Sequence, residues 1–134
     1  MAKLIDVEGI GPKNAGKLKT AGVSTTQGLL KKGATPQGRK ELAAKSGVSD
    51  HLILEWVNRS DLFRIKGVAE EYSDLLEVAG VDTVVELAQR NAANLYAKMA
   101  EVNAAKKKVR KLPTESQVAD WIKQAKGLPR AIQY

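Results

Sequence analysis

The sequence predicts an all-α fold, and three observations carry that prediction. Apolar residues recur three and four positions apart, as in Ile53, Leu54, Val57 and Leu62, which lines one face of a helix. Glycines, prolines and Ser/Thr residues fall between the periodic segments, where stops and caps belong. Alternating β-branched runs, the mark of strands, are missing, so no sheet is expected.

The elements follow in order. Pro12 to Ala21 reads as a helix, opened by a proline whose missing N–H is not needed there and closed by Gly22. Ser24 and Thr25 cap a short helix that runs to about Lys32 and stops at Gly33. Thr35-Pro36 opens a helix to about Ser46, with Gly47 as its stop. Ser49 or Asp50 caps the next, which carries Trp56 and reaches about Leu62. Glu70 to Ala79 forms a helix ended by Gly80, and Asp82 caps another holding Val84, Val85, Leu87 and Ala88. A further helix is expected from about Ala93 to Val102. Thr114 caps a last one with Val118, Trp121 and Ile122 on one face. Gly127, Pro129 and the tail to Tyr134 are expected to be loose.

The chain also repeats itself. Val7-Glu8-Gly9-Ile10 through Leu18 to Ala21-Gly22-Val23 aligns without gaps with Ile65-Lys66-Gly67-Val68 through Leu76 to Ala79-Gly80-Val81, at an offset of 58. Leu54-Glu55-Trp56-Val57 echoes Ala119-Asp120-Trp121-Ile122 at an offset of 65. This is a tandem pair with roughly seven more residues in the second copy, and two copies do not make a solenoid. The boundaries drawn are 1–62 for a basic first repeat, 63–127 for a degenerate second and 128–134 for a tail, together one compact domain. The Trp121 helix is expected to pack beside the first hairpin, and the Trp56 helix beside the second, in a pseudo-two-fold arrangement.

Composition narrows the function. There is no cysteine, so disulfides and thiolate metal sites are excluded. The lone His51 cannot make a zinc site or a convincing triad, and an exposed place early in a helix is expected for it. No apolar run approaches a bilayer span, and the N-terminus lacks the apolar stretch of a signal peptide, so a cytoplasmic location is expected. The net charge of +7 is unevenly spread. Eight bases face one acid between Lys13 and Lys45, four bases face seven acids between Phe63 and Ala105, and eight bases face two acids from Lys106 onward. Such segregation points to a polyanion partner, with ordinary solubility charge as the alternative.

The phrase Gly9-Ile10-Gly11-Pro12-Lys13 concentrates the chemistry. Its glycines allow a tight hairpin feeding a helix. The hairpin amides and the first-turn amides are then turned outward, where the helix dipole also favours an anion. Lys13 and Lys17 stand beside them. A structural turn without a ligand is the alternative reading of the same glycines. Gly16, inside the helix, is read as a close helix crossing. The run Lys106-Lys107-Lys108-Val109-Arg110-Lys111 is a second candidate phosphate contact, with solvated linker charge as its alternative. Helical spacing would put Lys107, Arg110 and Lys111 on one side. Trp56 and Trp121 are read as core rather than as base-stacking groups, and Tyr72 and Tyr96 stay unassigned.

Val7, Gly9, Ile10, Gly11 and Ala15, with Leu18 and Gly22 in register, resemble the helix-hairpin-helix motif. The second copy matches at Ile65, Gly67, Val68, Leu76 and Gly80 but departs at Ala69 and Glu70-Glu71. The whole chain resembles the DUF4332 group of helix-hairpin-helix domains. The resemblance implies two tandem repeats of SAM-like architecture with about eight or nine short helices. It also implies a hairpin that holds a backbone phosphate of duplex DNA without reading sequence. It carries that role to Gly9, Ile10, Gly11 and Lys13, then to Lys17, while Lys19 is expected to help as neighbouring charge. It does not carry it to the second hairpin, where two carboxylates would repel a phosphate. A monovalent cation on hairpin carbonyls is the one cofactor it suggests. Some relatives are glycosylases with an Asp one or two turns past the motif, but Val23 to Lys32 contains none, so no catalysis is expected. A nucleoid-associated, non-enzymatic DNA-binding module is the leading expectation. RNA or protein partners are the alternatives, and the oligomeric state is left open.

Overall fold

A computed structural model describes residues 3–7 and 9–134; the Glu8 of the repeated stretch Val7-Glu8-Gly9-Ile10 lies outside the described residues. Among the described residues, a 3-10 turn, Leu4–Asp6, precedes eight α-helices. These are α1 (Pro12–Thr20), α2 (Thr26–Lys32), α3 (Pro36–Ser46), α4 (Asp50–Leu62), α5 (Glu70–Val78), α6 (Val84–Ala88), α7 (Ala92–Lys106) and α8 (Glu115–Lys126). The protein is all-α. Extended pairing among the described residues is confined to an isolated antiparallel bridge between Lys3 and Thr25. No helix of the described residues is long and apolar enough to cross a membrane.

Local chemistry sets the helix ends. Thr25, Thr35 and Thr114 accept hydrogen bonds from the amides of Gly28, Gly38 and Gln117, satisfying first-turn donors. Ser49 Oγ accepts from the Leu52 amide, which decides between the two residues expected to cap α4. The cap of α6 is Thr83, which accepts from the Glu86 amide; Asp82, expected in that role, lies one residue too early. The helix expected from Ala93 to Val102 starts behind Asn91 and extends to Lys106. Gly22 and Gly80 take left-handed backbone at φ +88° and +97°. Around them Val23 N–H donates to Leu18 C=O and Val81 N–H to Leu76 C=O, both at 2.9 Å. Each pair is the six-to-one bond of a Schellman stop.

The chain divides into two units, residues 1–61 with 131–134 and residues 62–130. The first buries Val7, Ile10, Leu18, Leu29, Ile53 and Trp56, among others. Its last residues are not loose. Ile132 is buried, Gln133 N–H donates to Ala34 C=O at 2.7 Å, and Tyr134 Oη donates to Asn58 Oδ1 at 2.9 Å. The Tyr134 ring also lies 5.9 Å from the guanidinium of the buried Arg39, a cation–π contact, while Arg39 Nη1 donates to Gly33 C=O. The second unit gathers Leu62, Ile65, Leu75, Leu87, Met99 and Trp121 into one cluster.

The expected exchange of tryptophan helices is overturned. A Cβ added at Gly9 would lie 3.2 Å from Trp56 Nε1, and one added at Gly67 would lie 3.0 Å from Trp121 Nε1. Each indole therefore covers the glycine turn of its own repeat. Gln124 of α8 adds to this in the second unit. It accepts from Lys66 N–H at 2.9 Å and donates to Lys66 C=O at 3.1 Å. Each repeat thus has its covering helix in its own sequence and needs no exchange. Both indoles are buried, in the core role expected of them.

Candidate functional site

The first glycine turn is built from few parts. Gly9 sits at φ +92°, a region that L side chains rarely adopt, and its own fold demands the glycine twice over because Trp56 presses on it. Ile10 N–H donates to Val7 C=O at 3.0 Å, and the Ile10 side chain is buried. Ile10 therefore does not offer its amide outward, contrary to the sequence expectation; the amide closes the turn. Gly11 is the N-cap of α1 at φ −82°, ψ 178°, ordinary extended backbone. A Cβ added there would meet nothing within 4 Å. Among the described residues, nothing requires residue 11 to be glycine.

The cap leaves the start of α1 open. Gly11 has no side chain to accept from the first turn, Pro12 has no N–H, and the first helical bond runs from Ala15 N–H to Gly11 C=O at 2.9 Å. The amides of Lys13 and Asn14 are therefore the outward donors of this helix start. Asn14 carries no distinctive side-chain signal in the sequence; the proline before it was the clue to its free amide. Gly9, Gly11, Lys13 and Lys19 are exposed, and Lys17 is half-buried. Among the described residues no carboxylate pairs with Lys13, Lys17 or Lys19. α1 contains no acid at all.

The second turn has the same backbone and the opposite chemistry. Gly67 sits at φ +94°, Val68 N–H donates to Ile65 C=O at 3.1 Å, and Ser73 N–H donates to Ala69 C=O at 2.8 Å. The N-cap is Ala69, and Glu70 and Glu71 occupy the first turn of α5. These carboxylates satisfy the positive end of the helix dipole from within.

The basic run after α7 is not helical beyond Lys106. Lys107 takes left-handed backbone at φ +51° and ends the helix. Its exposed position next to Arg110 and Lys111 therefore arises from a fixed loop and not from helical spacing. Asn103 holds that loop, donating to Val109 C=O at 3.2 Å and accepting from Val109 N–H at 2.9 Å. Val109 is buried. Tyr72 Oη donates to Lys111 C=O at 3.1 Å and its ring packs, tilted by 49°, 5.3 Å from that of Trp121, which gives that tyrosine a structural role. Lys108 pairs with Asp74 at 3.4 Å. His51 is exposed near the start of α4, 3.7 Å from Glu55, as expected. Gly16 is no helix crossing, since a Cβ there would meet open space. A glycine inside a helix costs about 1 kcal/mol relative to alanine, so this one has no packing reason.

Fold and site together define an all-α protein of two similar units, one with an open, basic helix start and one with a closed, acidic one. The chain belongs to the DUF4332 family, a domain of unknown function, whose model matches residues 8–128. No curated protein and no solved structure matches it.

Proposed function

We propose that the chain is a tandem helix-hairpin-helix module that holds duplex DNA by its backbone, without reading sequence and without catalysis. The contact is the start of α1. The outward amides of Lys13 and Asn14 donate to a phosphate oxygen, Gly11 lets the backbone approach, and the ammonium groups of Lys13, Lys17 and Lys19 add charge. Lys107, Arg110 and Lys111 form a separate basic loop suited to a further phosphate. The setting this reading implies is the cytoplasm, on the nucleoid.

The observation that carries the reading is the pair Gly11 and Ala69. Both cap the same turn, and the second shows that a Cβ is compatible with it. Glycine has been placed where the neighbouring side chains are lysines and not where they are glutamates. A ligand that must approach the main chain accounts for that difference; packing does not.

The test is fluorescence anisotropy with a labelled duplex over a salt series. Gly11→Ala and Lys13→Glu should each weaken binding several-fold while thermal unfolding stays near wild type. Each phosphate contact contributes a slope of about −0.9 to log K against log salt. Equal affinity of wild type and Lys13→Glu at low salt would sink the proposal. A structured RNA that outcompetes the duplex would redirect it to RNA.

A further inference from the structure

The first unit carries a trough beside its helix α1. It is a cleft of about 380 Å³ along α1, floored by Leu4, Ala15 and Gly16, walled by Ile5 and flanked by Lys3 and Lys19. Ile5 is 48% exposed, high for an isoleucine in this chain. The cleft exists because residue 16 has no side chain; a Cβ there would project into empty space.

The repeat offset of 58 gives the equivalent face in the second unit. Ile5 corresponds to Phe63, Gly16 to Asp74 and Lys19 to Glu77. Phe63 and Glu77 are partly buried and Asp74 is 8% exposed. That face is acidic, and the chain supplies its own base to it, Lys108 at 3.4 Å from Asp74. The first unit presents the same helix face with the charge reversed, a basic rim around an open apolar floor.

We propose that this trough is a docking site for an extended acidic peptide segment bearing an apolar side chain. The apolar residue lies on Leu4, Ala15 and Gly16 against Ile5, and flanking carboxylates meet Lys3 and Lys19. Charge complementarity selects the sign of the ligand, and the apolar floor favours a peptide with an aliphatic side chain to bury over a duplex, whose outer edge is charged phosphate. The site shares Lys19 with the proposed DNA contact but none of its floor or wall, and it stands whether or not the Gly11 helix start binds DNA.

The experiment uses the full chain and three fluorescein-labelled peptides, Glu-Glu-Leu-Glu-Glu-Leu-Glu, its lysine counterpart and an all-glutamate control. The acidic leucine peptide should bind saturably, and the lysine peptide should not. Gly16→Leu fills the cleft without changing charge, and should weaken the peptide about tenfold. Ile5→Ser, which removes the wall, is the second variant and should do the same. Both should leave duplex binding within about twofold, whereas Lys13→Glu should change duplex binding and spare the cleft. Equal binding of the all-glutamate peptide, or of the Gly16→Leu protein with native circular dichroism, overturns the proposal. So does sedimentation showing a dimer of the chain that Gly16→Leu dissociates, since the occupant would then be a second copy.

Discussion

At the scale of the residue, glycines with the same spelling do different work. Gly9 and Gly67 are held by left-handed backbone and by an indole against the α-carbon. Gly11 is held by neither. Gly9→Ala should therefore destabilise the protein by about 1–3 kcal/mol, the range for a strained backbone position. Gly11→Ala should cost under about 1 kcal/mol, the difference between good and poor N-caps. Chemical denaturation of the two variants checks this directly, and similar losses would mean that Gly11 is also structural. The motif was legible in the sequence as two glycines around an apolar residue. The division between them was not, because it depends on Trp56, which lies 47 residues away. Ile10 was misjudged for a related reason. Its apolar side chain predicts burial, but the use of its amide by Val7 is a property of the turn's hydrogen bonding.

At the scale of the element, caps and stops were readable because they are local. Thr25, Thr35, Thr114, Gly22, Gly47 and Gly80 act through hydrogen bonds within a few residues, so sequence spacing suffices. The helical spacing considered for the basic run after α7 does not hold, because the conformation of the run is set by side chains elsewhere. Six residues of nearly continuous charge read equally well as a solvated linker. Here, Asn103 clamps Val109 from one turn back, and Tyr72 of α5 holds the Lys111 carbonyl. Asn103→Ala would leave the N–H and C=O of the buried Val109 without these partners. The loss expected is about 1–3 kcal/mol for each group left unsatisfied. Lys107→Ala and Arg110→Ala, on exposed positions, should stay within about 0.5 kcal/mol. Urea midpoints for the three variants, with unchanged slopes, would show that the loop is a packed element carrying charge. Comparable midpoints for all three would show it to be a tether. The tail makes the same point. Ile132 and Tyr134 look dispensable in sequence, yet their partners Asn58, Ala34 and Arg39 are spread along the first unit.

At the scale of the whole molecule, the two units have one backbone plan and helix starts of opposite charge, and the difference between those starts lies in three positions. The first helix start reads Gly11-Pro12-Lys13, the second Ala69-Glu70-Glu71. If the proposed anion site consists of open amides plus adjacent lysine, it should be transferable. Ala69→Gly, Glu70→Pro and Glu71→Lys together place the first sequence on the second turn. That turn already has the matching geometry at Gly67 and the same hydrogen bond from Val68 to Ile65. The triple variant raises the net charge from +7 to +10. Added charge alone would strengthen binding at low salt wherever it was put. The control is therefore a variant carrying three neutral-to-lysine changes on exposed positions away from both turns, which reaches the same charge. A transplanted phosphate contact should steepen the salt dependence by about 0.9 per contact in the triple variant. Restoring Ala69 alone, with the lysine and proline retained, should return the slope towards wild type, because the main chain would again be screened by a Cβ. Should the triple variant and the charge-matched control show the same slope, the lysines are acting as a diffuse field, and the amides at the head of α1 hold no phosphate.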